Sequence, residues 1–550
     1  MPIGFSTALI LLFLGAAKLF AQPSPSEKPL TIGVSDEFFD MHPIGPTRKG
    51  KDSLLALCLR ALLGVDEAGH LRPVLAKGLP VLKSHIIGGE ARTMLEFDLS
   101  PQAIFGDGSP VTGLDVRFSW TVGKAQGVEP YSLIEDVWIL ETQPERVRFL
   151  LARGTSANIL WQLAGFRVVR AKNEAPLLGK DYGNKTLYRT LPTLPDLYNG
   201  PYVVKEFEVG RHILFSRNPY FGGKVPEFAE IKVILEPDPL LLEKMLKQGD
   251  MQVALSDSFS SEQLSNWEEK ALKESPPLRV YQRPTAVSER VDFNHTHPLL
   301  GDVRIRRALS LSLDRTQLRD EIYPDRRLPA FSFLPGVSMT VQPSGLKLEK
   351  AKLIMKNLGW KQGKDGFLIR KGKPLSLPLA VDTQDKFRNK LAERLKQQWA
   401  KLGVDIQIKK LPAQEFFDLV KKARFSALAL YAQLSPDLSR LSTQLASSSI
   451  PSRDNFYVGE NYGRFANKGI DQLLTQYDQE WNLTRREYLL GELEEKFQEA
   501  LPFLPIFFRY ETAVVTSTAC GKEVVWRKLR SWFPQETLEI DWLRAIFLCP

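Results

Sequence analysis

Two histidines, His295 and His297, form the pair whose spacing best suits metal binding. Residues at i and i+2 share one face of a strand, so both imidazoles could reach one ion. No cysteine or carboxylate cluster accompanies them, and two imidazoles alone make a weak site. The pattern therefore favours ordinary surface histidines, and we assign no metal ligand.

Ser344 and Lys347 have the serine–x–x–lysine spacing found in serine acylases. They lie in a stretch rich in proline and glycine, and the chain has no KTG string that would complete such a site. GxSxG, HExxH and P-loop strings are also absent from the sequence. The sequence therefore predicts no enzyme and no cofactor.

Three cysteines, Cys58, Cys520 and Cys549, have no CxxC spacing, which argues against a zinc site or a dithiol redox motif. In an oxidising compartment one pair could form a disulfide and leave one thiol over. The spacing does not decide which pair that is.

The composition is that of a soluble globular protein of two or three domains. The chain has 550 residues, of which 25% are charged and 43% hydrophobic. The net charge is +9, but Lys and Arg are scattered among 64 acidic residues. The densest basic clusters, 304–307 and 409–410, are short and have no accompanying RNA-binding aromatic motif. We therefore expect no nucleic-acid partner.

The N-terminal residues have the pattern of a secretory signal peptide. Residues 8–17 form an apolar run that is too short to span a membrane, and Lys18 follows it. Ala21 suits the position before a cleavage site, although no basic residue precedes the run. No cysteine lies nearby for a lipid anchor. The expectation is that residues 1–21 are removed and the protein is exported to the periplasm.

The stretch 97–120 predicts a strand end, a turn at Asp107-Gly108 and a helix. Thr112 is a good N-cap, and Asp115 three positions later completes a capping box. On physical grounds this is a structural motif, because it offers neither a nucleophile nor a ligand cage. Similar reasoning predicts strands at 30–34, 202–207, 212–216 and 404–408, and helices at 240–247, 303–318 and 391–403. Asp302 is the predicted N-cap of the second helix, and Gly249 and Gly403 are the glycines expected to end the first and the third.

The same stretch resembles the signature of bacterial extracellular solute-binding proteins, family 5, the peptide- and nickel-binding components of ABC importers. A second stretch, which runs from a strand end into a helix, resembles another motif of that family, and further similarity follows at 199–221 and 486–505. The matching residues of the first stretch are Phe105, Asp107, Gly108, Pro110, Thr112, Asp115, Val116, Phe118, Ser119 and Trp120. Those of the second are Phe293, Asn294, Pro298, Asp302, Arg304, Arg307, Ala308, Leu309, Asp314 and Arg315.

The resemblance implies an α/β, two-lobe periplasmic-binding-protein fold of type II (Venus flytrap) with an extra inserted domain. It implies a monomer that captures a peptide or peptide-like ligand between the lobes and delivers it to a membrane permease of an ABC transporter. The implied segments are 1–21 (signal peptide), 22–60, 192–284 and 515–550 (lobe I), 61–191 (inserted domain) and 285–514 (lobe II).

The ligand-binding residues are predicted from the same resemblance. Peptide-binding members carry an aspartate that pairs with the ligand's α-amino group, and here that loop contains Tyr431, Ala432 and Gln433, with Ala432 at the aspartate position. Asp437 is a possible substitute, although a turn residue after proline is the simpler interpretation. An unpaired buried ammonium is unfavourable. We therefore expect a ligand other than an ordinary free-amine peptide held in the usual way.

Two further regions are candidates. The loop 44–52 reaches the cleft in peptide-binding relatives, and its residues Thr47, Arg48 and Lys49 would suit a carboxylate or another anion. A solvated loop is the plainer interpretation. Asn294 is a candidate near the lobe junction, where its amide could instead hydrogen-bond the backbone.

Two alternatives remain at this point. One is a nickel- or metal-chelate-binding member of the same family. The other is a degenerate receptor that now acts as an interaction module, which the replacement of the aspartate by Ala432 motivates.

Overall fold

The computed structural model describes residues 29–35, 38–45, 49–65, 70–226, 228–255, 278–322, 328–334, 347–434 and 440–516. Within these ranges one eleven-stranded sheet runs through the molecule, accompanied by a four-stranded sheet and two small ones. The strands are β1 (Leu30–Val34), β2 (Leu63–Val65), β3 (Leu71–Pro73), β4 (Val81–Ile87), β5 (Glu90–Asp98), β6 (Ile134–Leu140), β7 (Gln143–Leu151), β8 (Tyr202–Glu208), β9 (His212–Arg217), β10 (Glu230–Leu235), β11 (Val253–Leu255), β12 (Leu278–Phe293), β13 (Leu328–Pro329), β14 (Lys361–Gln362), β15 (Leu368–Arg370), β16 (Lys373–Pro374), β17 (Ser376–Asp382), β18 (Asp405–Leu411), β19 (Leu428–Leu434) and β20 (Phe503–Thr516).

The helices cover the faces of these sheets. Short 3₁₀ turns lie at Tyr131–Leu133, Leu163–Gly165, Ala175–Leu177, Pro195–Leu197 and Ser447–Ser449. The α-helices are α1 (Lys49–Cys58), α2 (Gly113–Ala125), α3 (Ile159–Gln162), α4 (Ala171–Glu174), α5 (Tyr182–Lys185), α6 (Leu187–Thr190), α7 (Pro239–Gln248), α8 (Val303–Leu311), α9 (Arg315–Ile322), α10 (Leu348–Asn357), α11 (Lys386–Leu402), α12 (Ala413–Lys421), α13 (Leu441–Leu445), α14 (Lys468–Gln479) and α15 (Leu483–Ala500).

The large sheet has the strand order β18-β17-β19-β12-β20-β11-β1-β10-β9-β8, and β13 pairs with β20. Its two halves differ in the elements that cover them, and we call them the first and the second lobe. The first lobe holds β1 and β8–β11, and the second holds β17–β19. Strands β12 and β20 lie between the halves and pair antiparallel from Leu278 and Thr516 to Asp292 and Phe503. These two junction strands therefore belong to both lobes.

The junction strands are irregular where they pass between the lobes. The register of β12 against β20 shifts between Pro284 and Ser288, and again between Glu289 and Arg290. Such β-bulges interrupt the ladder of hydrogen bonds and bend a strand locally. The predicted segment boundaries after residues 284 and 514 fall within these strands, and the boundaries stay predictions.

The first lobe has a hydrophobic core that is continuous with the segment predicted as the inserted domain. Leu57 on α1, Phe97 and Phe149 on the four-stranded sheet, and Ile231 and Val233 on β10 belong to the same buried cluster. The four-stranded sheet has the order β4-β5-β7-β6. The second lobe has separate cores, one around α8–α11 and one around α13–α15.

The capping box predicted at the start of α2 is confirmed. The Asp115 carboxylate accepts hydrogen bonds from the backbone N–H and the hydroxyl of Thr112, both at 2.8 Å. Its other oxygen accepts the N–H of Ala171 at 2.9 Å, and Ser119 Oγ accepts the N–H of Val169 at 2.7 Å. Because these bonds join distant parts of the chain, the stretch 97–120 acts in stabilising the fold.

The single helix predicted over residues 303–318 is wrong, since the structure has two helices there. Asp302 caps α8 as predicted, by accepting the N–H of Arg304 at 2.9 Å. The backbone N–H of Asp314, however, donates to Oε1 of Gln398 at 2.8 Å, and Asp314 Oδ1 caps α9 through the N–H of Gln317 at 2.9 Å. A tertiary contact therefore ends the first helix, and a second cap starts the next one.

Candidate functional site

The candidate site lies at the end of β19, next to the junction strands. Ala432 pairs in register with Glu289 and Gln433 pairs with Ser288, near the bulges in β12. Ala432, Gln433 and Leu434 are partly exposed, whereas the earlier residues of the strand are buried. Asp437 lies outside the described residues. Of the predicted residues, the strand therefore exposes Ala432 and Gln433 in part at this end, whereas Tyr431 is buried.

One face of these strands carries a buried polar network around Arg290. Its Nε lies 2.8 Å from Oδ1 of Asp292, and both side chains are 2% exposed. Tyr431 donates its hydroxyl to Oδ2 of Asp292 at 2.6 Å, and the guanidinium lies 4.1 Å from the ring centroid of Phe503. Burial alone would lower the pKa of Arg290, but the Asp292 carboxylate and Tyr431 outweigh it and raise the pKa. The cation is therefore held in place deep in the lobe.

The network continues from Arg290 to the surface through two glutamines. Arg290 Nη1 donates to Oε1 of Gln444 at 2.9 Å, and Gln444 Nε2 donates to the Glu460 carboxylate at 2.9 Å. Gln433 Nε2 donates to the same carboxylate at 3.1 Å, and Arg440 lies 3.3 Å from it on the exposed side. Gln433 is therefore oriented by Tyr431 on one side, at 3.1 Å, and by Glu460 on the other.

The other face carries a second charged cluster, which sequence reasoning missed. Glu289 is 1% exposed and accepts hydrogen bonds from Arg388 Nε at 3.1 Å and Arg509 Nε at 2.9 Å. Arg388 also donates to Asp382 at 2.5 Å and lies 3.2 Å from Asp385. These residues come from β12, β17, α11 and β20, which are far apart in the sequence. The only sequence signal for the cluster was the alternation of side chains along β12.

This cluster gives the strand end its electrostatic character. Ala432 stands opposite Glu289 in the ladder, so an acid is present beside the predicted position but on the neighbouring strand. That carboxylate is buried and bound by two arginines, whereas the side chain of Arg509 is 37% exposed. Burial alone would lower the pKa of Arg509, but Glu289 outweighs it and raises the pKa. The strand end can therefore offer the Arg509 side chain on one face of the sheet and the Gln433 amide on the other.

The predicted N-terminal loop is only partly described. Thr47 and Arg48 lie outside the described residues, and Lys49 is the first residue of α1. Lys51 forms an ion pair with Asp40 at 2.6 Å. His42, just before the loop, lies between the rings of Tyr182 and Tyr188, and burial lowers its pKa to about 4.

Asn294 lies just beyond the last residue of β12, five positions along the strand from Glu289. Its amide donates to the carbonyl oxygens of Phe425 at 2.7 Å and Ser426 at 3.3 Å, and its Oδ1 accepts the Thr296 hydroxyl at 2.7 Å. Five residues of strand span roughly 17 Å. The structure therefore places Asn294 apart from Ala432 and occupies its side chain with backbone contacts.

The histidine pair considered for metal binding is built into the second lobe. His295 Nε2 lies 2.8 Å from the Pro502 carbonyl oxygen, and burial, together with the Arg306 cation, lowers its pKa to about 4. His297 Nδ1 accepts the backbone N–H of Leu299 at 3.3 Å. Over the described ranges no group of three or more His, Cys, Asp or Glu side chains could hold a metal ion.

The family follows from a match to the greater part of the chain. The family model described as "Bacterial extracellular solute-binding proteins, family 5 Middle" matches residues 90–450. The chain belongs to this family. Members of family 5 are the solute-binding components of ABC importers for peptides or for nickel and other chelates, and they are not enzymes. They are periplasmic or extracellular.

Curated relatives of this family 5 protein are distant in sequence. A binding protein of Brucella abortus is 25% identical over 343 residues, which are 58% of this chain and 52% of the relative. The chain thus aligns with about half the length of that relative. The periplasmic murein peptide-binding protein MppA of Escherichia coli is 24% identical over 491 residues, which cover 80% of this chain and 86% of MppA.

Solved structures of family 5 proteins confirm the fold. The unliganded open form of the murein tripeptide-binding protein MppA superposes with a TM-score of 0.70 at 20% identity, covering 90% of this chain and 94% of MppA. NikZ of Campylobacter jejuni, in complex with Ni(L-His), superposes with a TM-score of 0.63 at 20% identity, covering 94% of this chain and 98% of NikZ. The fold is the two-lobe α/β periplasmic-binding-protein fold of type II with an extra inserted domain.

The family signature at 97–120 is a structural element of this fold. Arg170 reaches back to it, stacking 4.4 Å from the ring centroid of Phe105 and donating to Ser109 Oγ at 2.6 Å.

Among the helices that the structure describes, none is both long and apolar enough to cross a membrane.

Proposed function

We propose that this chain is the extracytoplasmic substrate-binding protein of an ABC importer, which captures a peptide or peptide-like solute between its lobes. It would pass the solute to a membrane permease and act in the periplasm as a monomer, without catalysing a reaction. The observation that carries this proposal is the pair of junction strands, β12 and β20, which connect two lobes with distinct hydrophobic cores. Irregular strands between rigid lobes suit a hinge that closes over a ligand.

The proposed ligand contacts are those of the strand end next to the hinge. Tyr431, Ala432 and Gln433 stay the candidates there, with Arg440 on the face of Gln433 and the partly exposed Arg509 on the face of Ala432. An extended peptide can be held largely through its main chain, which Gln433 and the exposed end of β19 would support. Thr47, Lys49, Asn294 and Asp437 stay candidates on sequence grounds alone.

The ligand's end at Ala432 is proposed to lack a free ammonium group. The Glu289 carboxylate, opposite Ala432 in the ladder, and the Glu460 carboxylate, which Gln433 contacts, are already paired with arginines. A free α-amino group would therefore have to compete with these arginines for its counterion. A blocked or modified N-terminus would avoid that competition.

Native mass spectrometry of the protein purified from its own exported compartment, compared with the denatured mass, is the first test. Retained mass that matches peptides supports the proposal. Titration calorimetry with tri-alanine and N-acetyl-tri-alanine then tests the ligand's end, and we expect the acetylated form to bind at least as tightly. Binding of Ni(II)–histidine instead would favour the chelate-binding alternative, and binding of none of these probes would favour an interaction module.

An Ala432→Asp variant sharpens this test. The new carboxylate can pair with an ammonium, and a hydrogen bond to a charged group is worth about 1.5–3 kcal/mol, so preference for the free-amine peptide should rise about tenfold or more. The matched control is Ala91→Asp, which adds the same charge at an exposed position of β5 in the four-stranded sheet. Equal peptide preference in both variants would contradict the placement of the ligand at Ala432.

A further inference from the structure

A contact away from the junction strands also joins the two lobes. The backbone N–H of Ala157, just before α3, donates to the carbonyl oxygen of Asp478 on α14 at 2.8 Å. The Asn158 amide donates to Oδ1 of Asp478 at 2.7 Å. Ser442 holds the other carboxylate oxygen of Asp478 at 2.5 Å from within the second lobe. Asp478 is therefore fixed by its own lobe and presented to the first.

Arg486 on α15 forms the centre of this contact. Its side chain is buried, with the residue 1% exposed, and Nη1 donates to the Tyr477 carbonyl oxygen at 2.6 Å. Nη2 donates to Oδ1 of Asn158 in the first lobe. The guanidinium lies 3.9 Å from the ring centroid of Tyr477 and 4.8 Å from that of Trp161. One arginine is thus stacked between an aromatic ring of each lobe.

Apolar and peripheral groups extend the contact. Trp481 and Leu483, at the turn between α14 and α15, pack against the hydrophobic core of the first lobe. His70 and Glu487 approach to 3.8 Å at the exposed rim. The contact therefore has a buried polar centre, an apolar flank and an exposed rim, as protein–protein interfaces do.

The polar centre of the contact is incompletely satisfied. Within the described part of the chain, the Trp161 Nε1–H and the Arg486 Nε–H are buried and have no hydrogen-bond acceptor. Burying a donor without an acceptor costs free energy, which offsets much of the stability that the hydrogen bonds formed at this contact contribute. The contact therefore holds the lobes together only moderately, which is what a contact that must reopen requires.

We propose that this contact, formed by Ala157, Asn158 and Trp161 with Asp478 and Arg486, is a latch between the lobes. It stabilises the lobe arrangement of this structure and breaks when the lobes separate about β12 and β20. The bulges in β12 supply the bending point, and the latch sets how often the lobes part. Only its effect on ligand capture rests on the proposed function.

The test uses Asn158→Ala in the full mature chain without ligand. This substitution removes both side-chain bonds across the latch but leaves the bonds of Arg486 within the second lobe. The matched control is Asn173→Ala, which removes an asparagine–aspartate bond of 2.6 Å, to Asp196, within the first lobe. Small-angle X-ray scattering measures the radius of gyration, and hydrogen exchange follows the peptide that contains the Ala157 amide.

The latch predicts a larger radius of gyration for Asn158→Ala than for wild type or Asn173→Ala. It also predicts about tenfold faster exchange at the Ala157 amide and at residues 477–487, with the sheet cores unchanged. An unchanged radius together with unchanged exchange would overturn the proposal, as would the same change in the Asn173→Ala control. Arg486→Lys is a second variant, which keeps the charge, loses the stacked fork and should show the same direction of change.

A ligand arm separates this inference from the proposed function. If Asn158→Ala opens the lobes and also weakens binding of the retained ligand, both the latch and the proposed transport function are supported. If the lobes open while no probe binds either protein, the latch stands and the transport function fails.

Discussion

The two faces of β12 carry charged clusters of different construction. On one face Arg290 and Asp292 are closed off by Tyr431, Gln444 and Phe503 and are both almost unexposed. On the other face Glu289 is equally buried, but its second arginine, Arg509, has a side chain that is 37% exposed. Successive residues of β12 thus belong to two different clusters. The Arg290 cluster is enclosed within the lobe, and the Glu289 cluster extends towards its surface.

This difference separates a structural role from a binding role. The hydrogen-bond partners of Arg290 and Asp292 lie in the second lobe, so the pair contributes to packing and to the orientation of Gln433. The Glu289 cluster joins β12, β17, α11 and β20 and keeps part of the Arg509 side chain accessible beside the junction. Changes in the first cluster should therefore affect stability, and changes at the edge of the second should affect recognition.

The largest effect is expected for Arg290→Ala. The substitution leaves the Asp292 carboxylate buried without its counterion, which typically lowers the free energy of unfolding by about 3–5 kcal/mol. Urea denaturation followed by circular dichroism measures it.

The control for this prediction replaces both partners. Arg290→Met with Asp292→Leu removes the pair without leaving a buried charge, and such exchanges are often neutral or better. If the double variant loses as much free energy of unfolding as Arg290→Ala does, the loss in the single variant does not come from breaking the ion pair.

An intermediate effect is expected on acidification, and it originates outside both clusters. The arginines stay charged in acid, whereas burial lowers the pKa of His42 and His295 to about 4, from 6.5. Both histidines are therefore neutral in the fold, while the unfolded chain takes up protons below pH 6.5. Stability should fall as the pH drops from about 6.5 to about 4, by at most about 3 kcal/mol for each histidine.

Melting temperatures at pH 7 and pH 4.5 check this for wild type and His295→Gln. The variant should lose less stability between the two pH values than wild type does. His85→Gln serves as the control, because that imidazole is exposed on β4. An equal pH dependence in His295→Gln and wild type would mean that other groups dominate the acid transition.

The smallest stability effect is expected for Arg509→Gln. Arg388 remains on Glu289, and a partly exposed ion pair contributes up to about 1 kcal/mol. The free energy of unfolding should therefore change by less than about 1 kcal/mol, while affinity for the retained ligand falls. A large stability loss with unchanged affinity would place Arg509 with the structural cluster instead.

The sequence predicted local structure well where a few adjacent residues decide it. The capping box of Thr112 and Asp115, the cap at Asp302 and the glycines that end α7 and α11 were all predicted and are confirmed. The helix over 303–318 was predicted wrongly, because Gln398 on another helix takes the N–H of Asp314. The family signature was recognised by its residues. Its structural role, however, depends on tertiary contacts, because Arg170 and Ala171 hydrogen-bond to it from a later part of the chain.

The sequence by itself determined the family, the two-lobe fold and the absence of an acid at Ala432. The family and the two-lobe fold follow from the resemblance of motifs such as 97–120 to a known family, and the missing acid is read from the residues themselves. Tertiary structure alone decided that Glu289, Arg388 and Arg509 meet beside Ala432, and that Asn158 meets Arg486 across the lobes. Those partners lie about a hundred or more residues apart, and only the packing of strands and helices that are distant in the sequence brings such groups within hydrogen-bond distance.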